Sequence, residues 1–274
     1  MNAPMHASAS PRPALVPKDP VRLHQRNAAL ATLSSSAFSI LEPHLRQRDF
    51  EEGSVLWDVG EQFDRVYFPL SGIISIVLPV KDGCWIEVAS VGQEGAAGIN
   101  YGLGQAQSAT QGVAQVAGTF CYISAPQFAS AARQSDEIDY FAATCCNWLL
   151  AQSQQMAACN AVHPADARFC RWLLLYAERT GDDMVPSTQE AIARSLGVRR
   201  TTVTLIAQGL QMSGIISYRR GKIVIRDRDV LRSKACDCCT VLGQRNWPSE
   251  WLSKRAEVLD SQVAGAERPS HRGA

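Results

Sequence analysis

The distribution of hydrophobic residues divides the chain into two parts with different periods. In the first part, short runs rich in branched and aromatic residues alternate with glycines. These runs are Val55–Trp57, Val66–Phe68, Ile73–Leu78, Trp85–Val91 and Thr119–Ser124. Strands of this length, separated by frequent turns, predict a small antiparallel barrel or sandwich. We expect a hairpin turn at Lys81–Gly83, because Asp-Gly readily supplies the positive φ of tight turns.

A helical period replaces this pattern near residue 135. Asp136–Asn160 contains neither Gly nor Pro, and His163-Pro164 interrupts the helix, so we assign one long helix to residues 136–162. One stripe on it recurs at alternating steps of three and four, namely Ala142, Cys145, Leu149, Gln152, Met156 and Cys159. Such a stripe is typical of a helix that packs on a second copy in a dimer, and an ordinary core helix is the alternative. A further helix is expected at Ala165–Arg179.

The pattern after residue 186 is typical of a helix-turn-helix. Ser187 and Glu190 have the spacing of a capping box, which predicts a helix start. Ala193 is small where a second helix would cross, and Gly197 stands at the turn, where positive φ is needed. The positions at which the two helices would pack together are all apolar: Ile192, Leu196, Val198, Val203 and Ile206.

The second helix, about Arg200 to Met212, has one apolar and one polar face. Val203, Ile206, Ala207 and Leu210 are expected to point inward. Arg199 precedes the helix, and Arg200, Thr201, Thr204 and Gln208 point outward. In a major groove these side chains reach base edges or phosphates, and the alternative is an ordinary solvated face. Gly214 closes the helix.

Two short strands around a basic turn follow within Ile215–Ile225 and complete a winged helix-turn-helix. Arg219, Arg220 and Lys222 lie at the tip of this wing. Cations at that place fit the phosphate backbone, where they add affinity without reading sequence.

The charge distribution agrees with a nucleic-acid partner for the C-terminal part. The net charge is only +1. Between Arg194 and Arg232, however, the chain has nine Lys and Arg and only two Asp. This segment therefore has a net charge of +7, and the rest of the chain has a net charge of −6. A basic module attached to an acidic one is expected of a nucleic-acid-binding protein with a separate partner domain.

Composition excludes several other classes. An apolar content of 46% is too high for a wholly disordered chain. No apolar run is long enough to cross a membrane, so no membrane partner is expected. Nine cysteines without an export signal indicate reduced thiols and a cytoplasmic location. We find no nucleophile–base pair, phosphate-binding loop or paired-histidine motif, so an enzyme is not expected.

We therefore predict an α+β protein with five segments. Residues 1–32 form a flexible tail, 33–135 a β domain, 136–162 the dimerisation helix, 163–240 the winged helix-turn-helix and 241–274 a C-terminal tail.

This order of domains resembles the Crp-Fnr family of bacterial transcription regulators over about residues 36–240. The most specific motifs are Thr188–Ala193 and Leu196–Val203. The resemblance implies a β-roll (a double-stranded β-helix similar to cyclic-nucleotide-binding domains) and a homodimer whose recognition helices bind a palindromic operator in double-stranded DNA. It also implies control of transcription through contact with RNA polymerase. Of the three base-reading side chains of the best-known member, only Arg200 keeps its type, so a different operator is expected.

The segments that resemble the family's effector pocket depart from its pattern. Cyclic-nucleotide binders carry Gly-Glu-Leu/Ile and then Arg-Ser/Thr-Ala, whose arginine pairs with the phosphate. Here the corresponding residues are Gln93, Glu94 and Gly95, then Ser108, Ala109 and Thr110, with serine in place of the arginine. No arginine occurs from Val66 to Ala132, and a buried phosphate without a cation costs several kcal/mol. We expect a degenerate pocket that either senses another small molecule or serves as a scaffold.

The cysteines leave one alternative open. The oxygen-sensing branch of the family holds an iron–sulfur centre on an N-terminal cysteine cluster, but the first cysteine here is Cys84. We therefore expect no cofactor. Cys236, Cys238 and Cys239 could bind a metal in a redox- or metal-responsive regulator. Packing is the preferred interpretation, because four ligands are normally needed and adjacent cysteines rarely bind one ion.

Overall fold

The computed structural model describes residues 25–80, 85–102, 107–219 and 221–238. The expected hairpin turn at Lys81–Gly83 and the predicted C-terminal tail, 241–274, lie outside these residues. Within them the chain is an α+β protein, as predicted. None of the described helices is long and apolar enough to cross a bilayer.

The N-terminal domain consists of two antiparallel sheets. The first has the order β1-β7-β3, with β1 at Arg46–Phe50, β3 at Arg65–Pro69 and β7 at Gly118–Ser124. The second has the order β2-β6-β4-β5, with β2 at Val55–Trp57, β4 at Ile73–Pro79, β5 at Trp85–Val91 and β6 at Gln111–Val116. Because strands distant in sequence are neighbours in both sheets, the chain winds as a β-roll.

Two of these strands, β1 and β6, are absent from the sequence-based prediction. The residues of β1 are Arg-Gln-Arg-Asp-Phe, of which only Phe50 is buried. Strand β6 consists mainly of small and polar residues. Neither strand carries the branched, apolar signal by which a strand is detected in sequence, so pairing with neighbouring strands determines both.

Aromatic side chains fill the space between the sheets. The rings of Phe50 and Phe120 stack at 5.1 Å, and Trp57 meets Phe63 edge-on at 4.8 Å. Gly98 has φ +77°, and a Cβ there would lie 2.2 Å from the Phe63 ring. The turn that follows β5 therefore requires glycine, because any side chain would overlap the core.

The folded part begins before residue 33, so the predicted flexible tail of residues 1–32 is too long. Asn27 is fully buried, and its Nδ2 donates to the carbonyl oxygens of Pro69 at 3.0 Å and Gly95 at 2.9 Å. Leu30, in the 3₁₀ turn Leu30–Thr32, is also fully buried. A hydrophobic pattern cannot detect this anchor, because its central residue is polar. Residues 1–24 lie outside the described part.

Short helices frame the β-roll. Helix α1 spans Ser35–Leu41 and a 3₁₀ turn follows at Glu42–His44. Helix α2 spans Ile99–Gly102, and α3 spans Ala125–Gln134. Pro43 lies in the 3₁₀ turn that directly follows α1.

Helix α4, Asp136–Val162, has the predicted bounds. Ser135 begins the helix by accepting the amide of Ile138 at 3.4 Å, and the acidic side chains of Asp136, Glu137 and Asp139 complement the helix dipole in the first turn.

The stripe assigned to a partner, however, faces the chain's own fold. Its members Ala142, Cys145, Gln152, Met156 and Cys159 are all buried, and Leu149 is half-buried. The prediction that this stripe forms the dimer seam is therefore wrong. A second stripe with the same spacing is exposed, formed by Ala143, Asn147, Leu150, Gln154, Ala157 and Ala161.

The C-terminal domain contains the predicted winged helix-turn-helix. Its helices are α5 at Ala165–Thr180, α6 at Gln189–Leu196, α7 at Arg200–Met212 and α8 at Arg228–Lys234. Its strands are β8 at Met184–Pro186, β9 at Ile216–Arg219 and β10 at Lys222–Ile225, in the order β8-β10-β9. One apolar core joins the helices to this small sheet.

Candidate nucleic-acid interface

Helix α6 begins one residue later than the predicted capping box requires. Thr188 Oγ1, and not the hydroxyl of Ser187, accepts a hydrogen bond from the backbone amide of Ala191 at 3.1 Å and caps the helix. Ser187 is buried, and its N–H donates to the carbonyl of Gly221 at 2.8 Å. The capping role of Ser187 is therefore wrong, because this residue joins the helix-turn-helix to the wing instead.

The turn between α6 and α7 has the predicted form. Gly197 has φ +63°, and its amide closes the last turn of α6 on Ala193 and Arg194. Ile192 and Val203 are fully buried between the two helices, and Ala193 is buried where the helices cross. The angle of α7 is thus fixed by close packing on α6.

The outer face of α7 is open to solvent. Arg199, Arg200, Thr201 and Gln208 are exposed, as predicted. No side chain within the described residues caps the start of α7. The positive end of the helix dipole therefore adds to the arginine charges at a place suited to a phosphate.

Thr204 differs from its predicted role. It is half-buried, and its hydroxyl donates to Gln189 Oε1 at 2.8 Å. This bond orients the first residue of α6, for which the sequence pattern indicates no function. On the same face Leu205 is 70% exposed, and an apolar side chain there fits the methyl group of a thymine.

The wing presents further cations. Arg219 and Lys222 are exposed and pair across the hairpin between β9 and β10, and Gly221 has φ +76° in its turn. Arg220 lies outside the described residues. Two cations of the basic region are neutralised elsewhere, since Arg228 pairs with Asp183 at 2.6 Å and Arg232 pairs with Glu178 at 3.1 Å. The cations of α7 and the wing thus stand apart from these ion pairs.

The segment expected in an effector pocket is used in other contacts. The side-chain Nε2 of Gln93 donates to the Leu70 carbonyl. Glu94 accepts the amide of Gly92 at 3.0 Å and pairs with Arg179 of α5 at 2.9 Å. Gly95 lies against the Trp148 ring of α4. These contacts join the β-roll to α4 and α5, and Gln93 also lines an open cleft of about 390 Å³ beside α5.

A cavity of about 250 Å³ does lie between the β-roll and α4. Its lining is formed by Trp57, Ile76, Val88, Ala89, Gly98, Asn100, Thr110, Cys146, Leu149, Leu150 and Ser153. Of the predicted pocket residues only Thr110 belongs to it. Ser108 is buried beside it and exchanges hydrogen bonds with Thr110, at 2.7 and 3.1 Å, while Ala109 is exposed. None of the lining residues in the described part of the chain is charged.

A buried polar network connects the two domains. Ser75 Oγ donates to Glu87 Oε2 at 2.5 Å, and Gln115 Nε2 contacts both Glu87 Oε2 at 3.3 Å and Ser195 Oγ of α6 at 3.2 Å. Burial raises the pKa of Glu87, and the Ser75 hydrogen bond and the charges of Arg179 and Arg171 oppose that increase. The β-roll is therefore in direct polar contact with the helix-turn-helix.

Two of the three cysteines considered in the sequence belong to a compact cluster. Cys236 Sγ lies 3.6 Å from Cys159 Sγ, and Cys238 Sγ lies 3.6 Å from His163 Nδ1. The four donor atoms all lie within 4.8 Å of one another. Cys239 lies outside the described residues. Spacing within the C-terminal segment alone could not indicate the two partners, which end helix α4.

A β-roll joined by a long helix to an exposed basic recognition helix and wing defines a two-domain DNA-binding regulator. Residues 47–135 match the cyclic nucleotide-binding domain, and residues 167–234 match the Crp-like helix-turn-helix domain. The chain belongs to the Crp-Fnr family of transcription regulators, which are not enzymes.

Solved structures of this family share the fold. A Crp/Fnr-family regulator from Eubacterium rectale is 16% identical, with a TM-score of 0.62, over 77% of this chain and 98% of that one. The c-di-GMP-responsive regulator CLP from Xanthomonas campestris is 15% identical, with a TM-score of 0.60, over 71% and 100%. A Crp/Fnr-family regulator from Thermus thermophilus is 22% identical, with a TM-score of 0.59, over 69% and 98%. A comparison with curated protein sequences gives no significant match.

Proposed function

We propose that the protein is a homodimer that binds a specific operator in double-stranded DNA and regulates transcription through RNA polymerase. The observation that carries this proposal is the exposed, cationic first turn of α7, with Arg199 and Arg200 held at a fixed angle by the Gly197 turn. Arg219 and Lys222 extend the same charge along the wing. A regulator that acts with the polymerase on the chromosome also agrees with the predicted cytoplasmic location.

The exposed stripe of α4 supports the homodimer. It repeats at steps of four and three from Ala143 to Ala161, which is the spacing of a parallel coiled-coil seam. Leu150, at its centre, is 55% exposed in the single chain. Three alanines in the stripe permit close approach of a second helix, and twofold symmetry would place two recognition helices on one operator.

Control by cyclic AMP in the family's usual way is not part of the proposal. The cavity between the β-roll and α4 has an uncharged described lining. Glu94, which stands in the family's pocket segment, is paired with Arg179 of the DNA-binding domain. An effector that fits this cavity would be uncharged where it is buried, because a buried phosphate needs a cation.

Replacement of Arg200 tests the assignment of the recognition face. Arg200→Ala is expected to reduce the preference for the selected operator over unrelated DNA by about 1–3 kcal/mol, on the order of 10–100-fold, since alanine cannot make the bidentate hydrogen bonds of arginine to guanine. Non-specific binding should remain. The operator is first obtained by selection from random oligonucleotides, and the variant is then titrated on both DNAs. Arg133→Ala, in the exposed last turn of α3, is the control. If Arg200→Ala keeps the wild-type preference for the operator, α7 does not read bases in the major groove.

The wing is tested by the salt dependence of binding. The double variant Arg219→Ala/Lys222→Ala should lower the slope of log K against log salt by about 0.9 for each phosphate that is no longer neutralised, or about 3.6 for a dimer. Relative preference among operator sequences should change little, because phosphate contacts do not read bases. Fluorescence anisotropy at several salt concentrations measures the slope. If the double variant keeps the wild-type slope, the wing does not contact DNA.

A further inference from the structure

The Cys159, His163, Cys236 and Cys238 cluster joins two segments that are far apart in sequence. Cys159 and His163 are four residues apart at the end of α4, so both side chains project from one side of the helix. Cys236 and Cys238 follow α8, and the Cys236 amide meets the Ala167 carbonyl at 3.4 Å. All three cysteines are buried, whereas His163 is half-buried and gives access from solvent. The cluster therefore connects the long helix to the end of the DNA-binding domain.

Two contacts within the cluster have the length expected around a single tetrahedral ion, and all four donor atoms lie within 4.8 Å of one another. With metal–sulfur bonds of about 2.3 Å and a metal–nitrogen bond of about 2.0–2.1 Å, tetrahedral geometry separates two sulfurs by about 3.8 Å and a sulfur from a nitrogen by about 3.6 Å. The observed contacts are 3.6 Å for Cys159 Sγ to Cys236 Sγ and 3.6 Å for Cys238 Sγ to His163 Nδ1. A disulfide needs about 2.04 Å. In an iron–sulfur cluster the protein ligands bind different iron atoms, so their donor atoms lie farther apart than the donor atoms around one shared ion.

The surroundings of the cluster complement the net charge that the site would have with an ion bound. Three thiolates and a divalent metal carry a net charge of −1. The positive charge of Arg171, which is only 2% exposed, acts on both Cys159 and Cys236. Its Nε has no hydrogen-bond partner among the described residues. Gln155 Nε2 donates to Cys238 Sγ at 3.0 Å, as a residue that orients a ligand does.

We propose that Cys159, His163, Cys236 and Cys238 bind one zinc-type divalent ion and so fasten the end of helix α4 to the DNA-binding domain. Three thiolates and one imidazole in a closed tetrahedron are the donor set of structural zinc sites. Because the ligands come from both sides of the domain junction, the occupied site restricts how far the recognition helix moves relative to α4. Removal of the metal, or oxidation of its thiolates, would release that restriction.

The first experiment measures metal content and ligand type in the full chain. Protein purified without oxygen is expected to contain about one zinc per chain by elemental analysis. Replacement of zinc by Co²⁺ should give intense sulfur-to-cobalt charge-transfer bands and the strong visible bands of a tetrahedral ion. Neither readout depends on DNA binding, so failure here is distinct from failure of the proposed function.

Variants then identify the ligands. Cys159→Ser, Cys238→Ser and His163→Gln should each lower the Co²⁺ affinity by on the order of 100-fold or more, because each removes a direct ligand. Two serine variants are the controls and should keep wild-type affinity. Cys146→Ser alters a half-buried thiol of the same helix, and Cys239→Ser alters the neighbour that the four-ligand set does not need. Circular dichroism shows whether each variant is folded. Competition between a chelator and the wild-type protein gives the metal affinity of the intact site, and this value does not depend on the folding of any variant.

Four results would overturn the proposal. These are protein that takes up neither zinc nor cobalt, equal loss of metal in the control and ligand variants, a Cys159–Cys236 disulfide in protein kept without oxygen, and bound iron with labile sulfide. The last result would replace the single ion by an iron–sulfur cluster.

Discussion

Leu150→Glu is expected to convert the dimer into monomers and to lower operator affinity by on the order of 100-fold or more. In a twofold dimer of parallel helices, each residue on the seam meets its own copy. The variant would therefore bury two facing carboxylates without partners, which strongly opposes association. A monomer binds only one half-site and lacks the effective concentration that the second recognition helix provides. Light scattering and operator titration measure the two effects.

Two further variants separate the seam from the cavity, since Leu150 also lines the cavity beside the β-roll. Ala157→Glu changes the same exposed stripe without a cavity contact among the described lining residues, and it should also give monomers. Gln134→Glu adds one negative charge at an exposed position on α3 and should leave the dimer intact. If both seam variants stay dimeric with wild-type operator affinity, the partner binds another surface.

The helix-turn-helix could be predicted almost residue by residue because its signals are local. Gly197 supplies the positive φ that the turn needs, and the apolar positions of α6 and α7 follow the helical period. The bounds of α4 are equally local, since Ser135 caps one end and His163-Pro164 ends the other. The capping residue of α6 was missed by one position, because Ser187 and Thr188 are both competent caps and only the contact of Ser187 with Gly221 distinguishes them.

The remaining errors concern contacts between distant parts of the chain. Helix α4 carries two stripes with identical spacing, and periodicity cannot say which of them covers the β-roll. In the sequence Glu94 resembles a pocket residue, but in the structure it forms an ion pair with Arg179 of the other domain. Cys159 and Cys236 are separated by 77 positions, so sequence spacing gives no sign of a four-ligand cluster. In each case the decisive information is the packing of one domain on another.

Trp148→Ala is expected to lower the free energy of unfolding by about 3–5 kcal/mol, as for other buried aromatic residues. Trp148 is buried on α4 and belongs to the aromatic core of the β-roll. Its ring also lies so close to Gly95 that a Cβ there would be 2.6 Å from ring atom Cζ3. The segment that contains Gly95 carries Glu94, the partner of Arg179. Truncation should therefore loosen the junction between the domains as well as the core. Urea denaturation at several protein concentrations measures the decrease.

A double-mutant cycle tests whether this contact, and not the general loss of core volume, holds the segment. Gly95→Ala alone should cost about 1–3 kcal/mol, because it forces a methyl group into the Trp148 ring. In the Trp148→Ala background the same substitution should cost only a few tenths of a kcal/mol, since the ring is gone. Trp85→Ala is the matched control, because Trp85 is only half-buried on β5 and leaves Gly95 untouched. The cost of Gly95→Ala should persist in that background. Equal costs in both backgrounds would mean that Trp148 stabilises the protein without positioning the segment that pairs with Arg179.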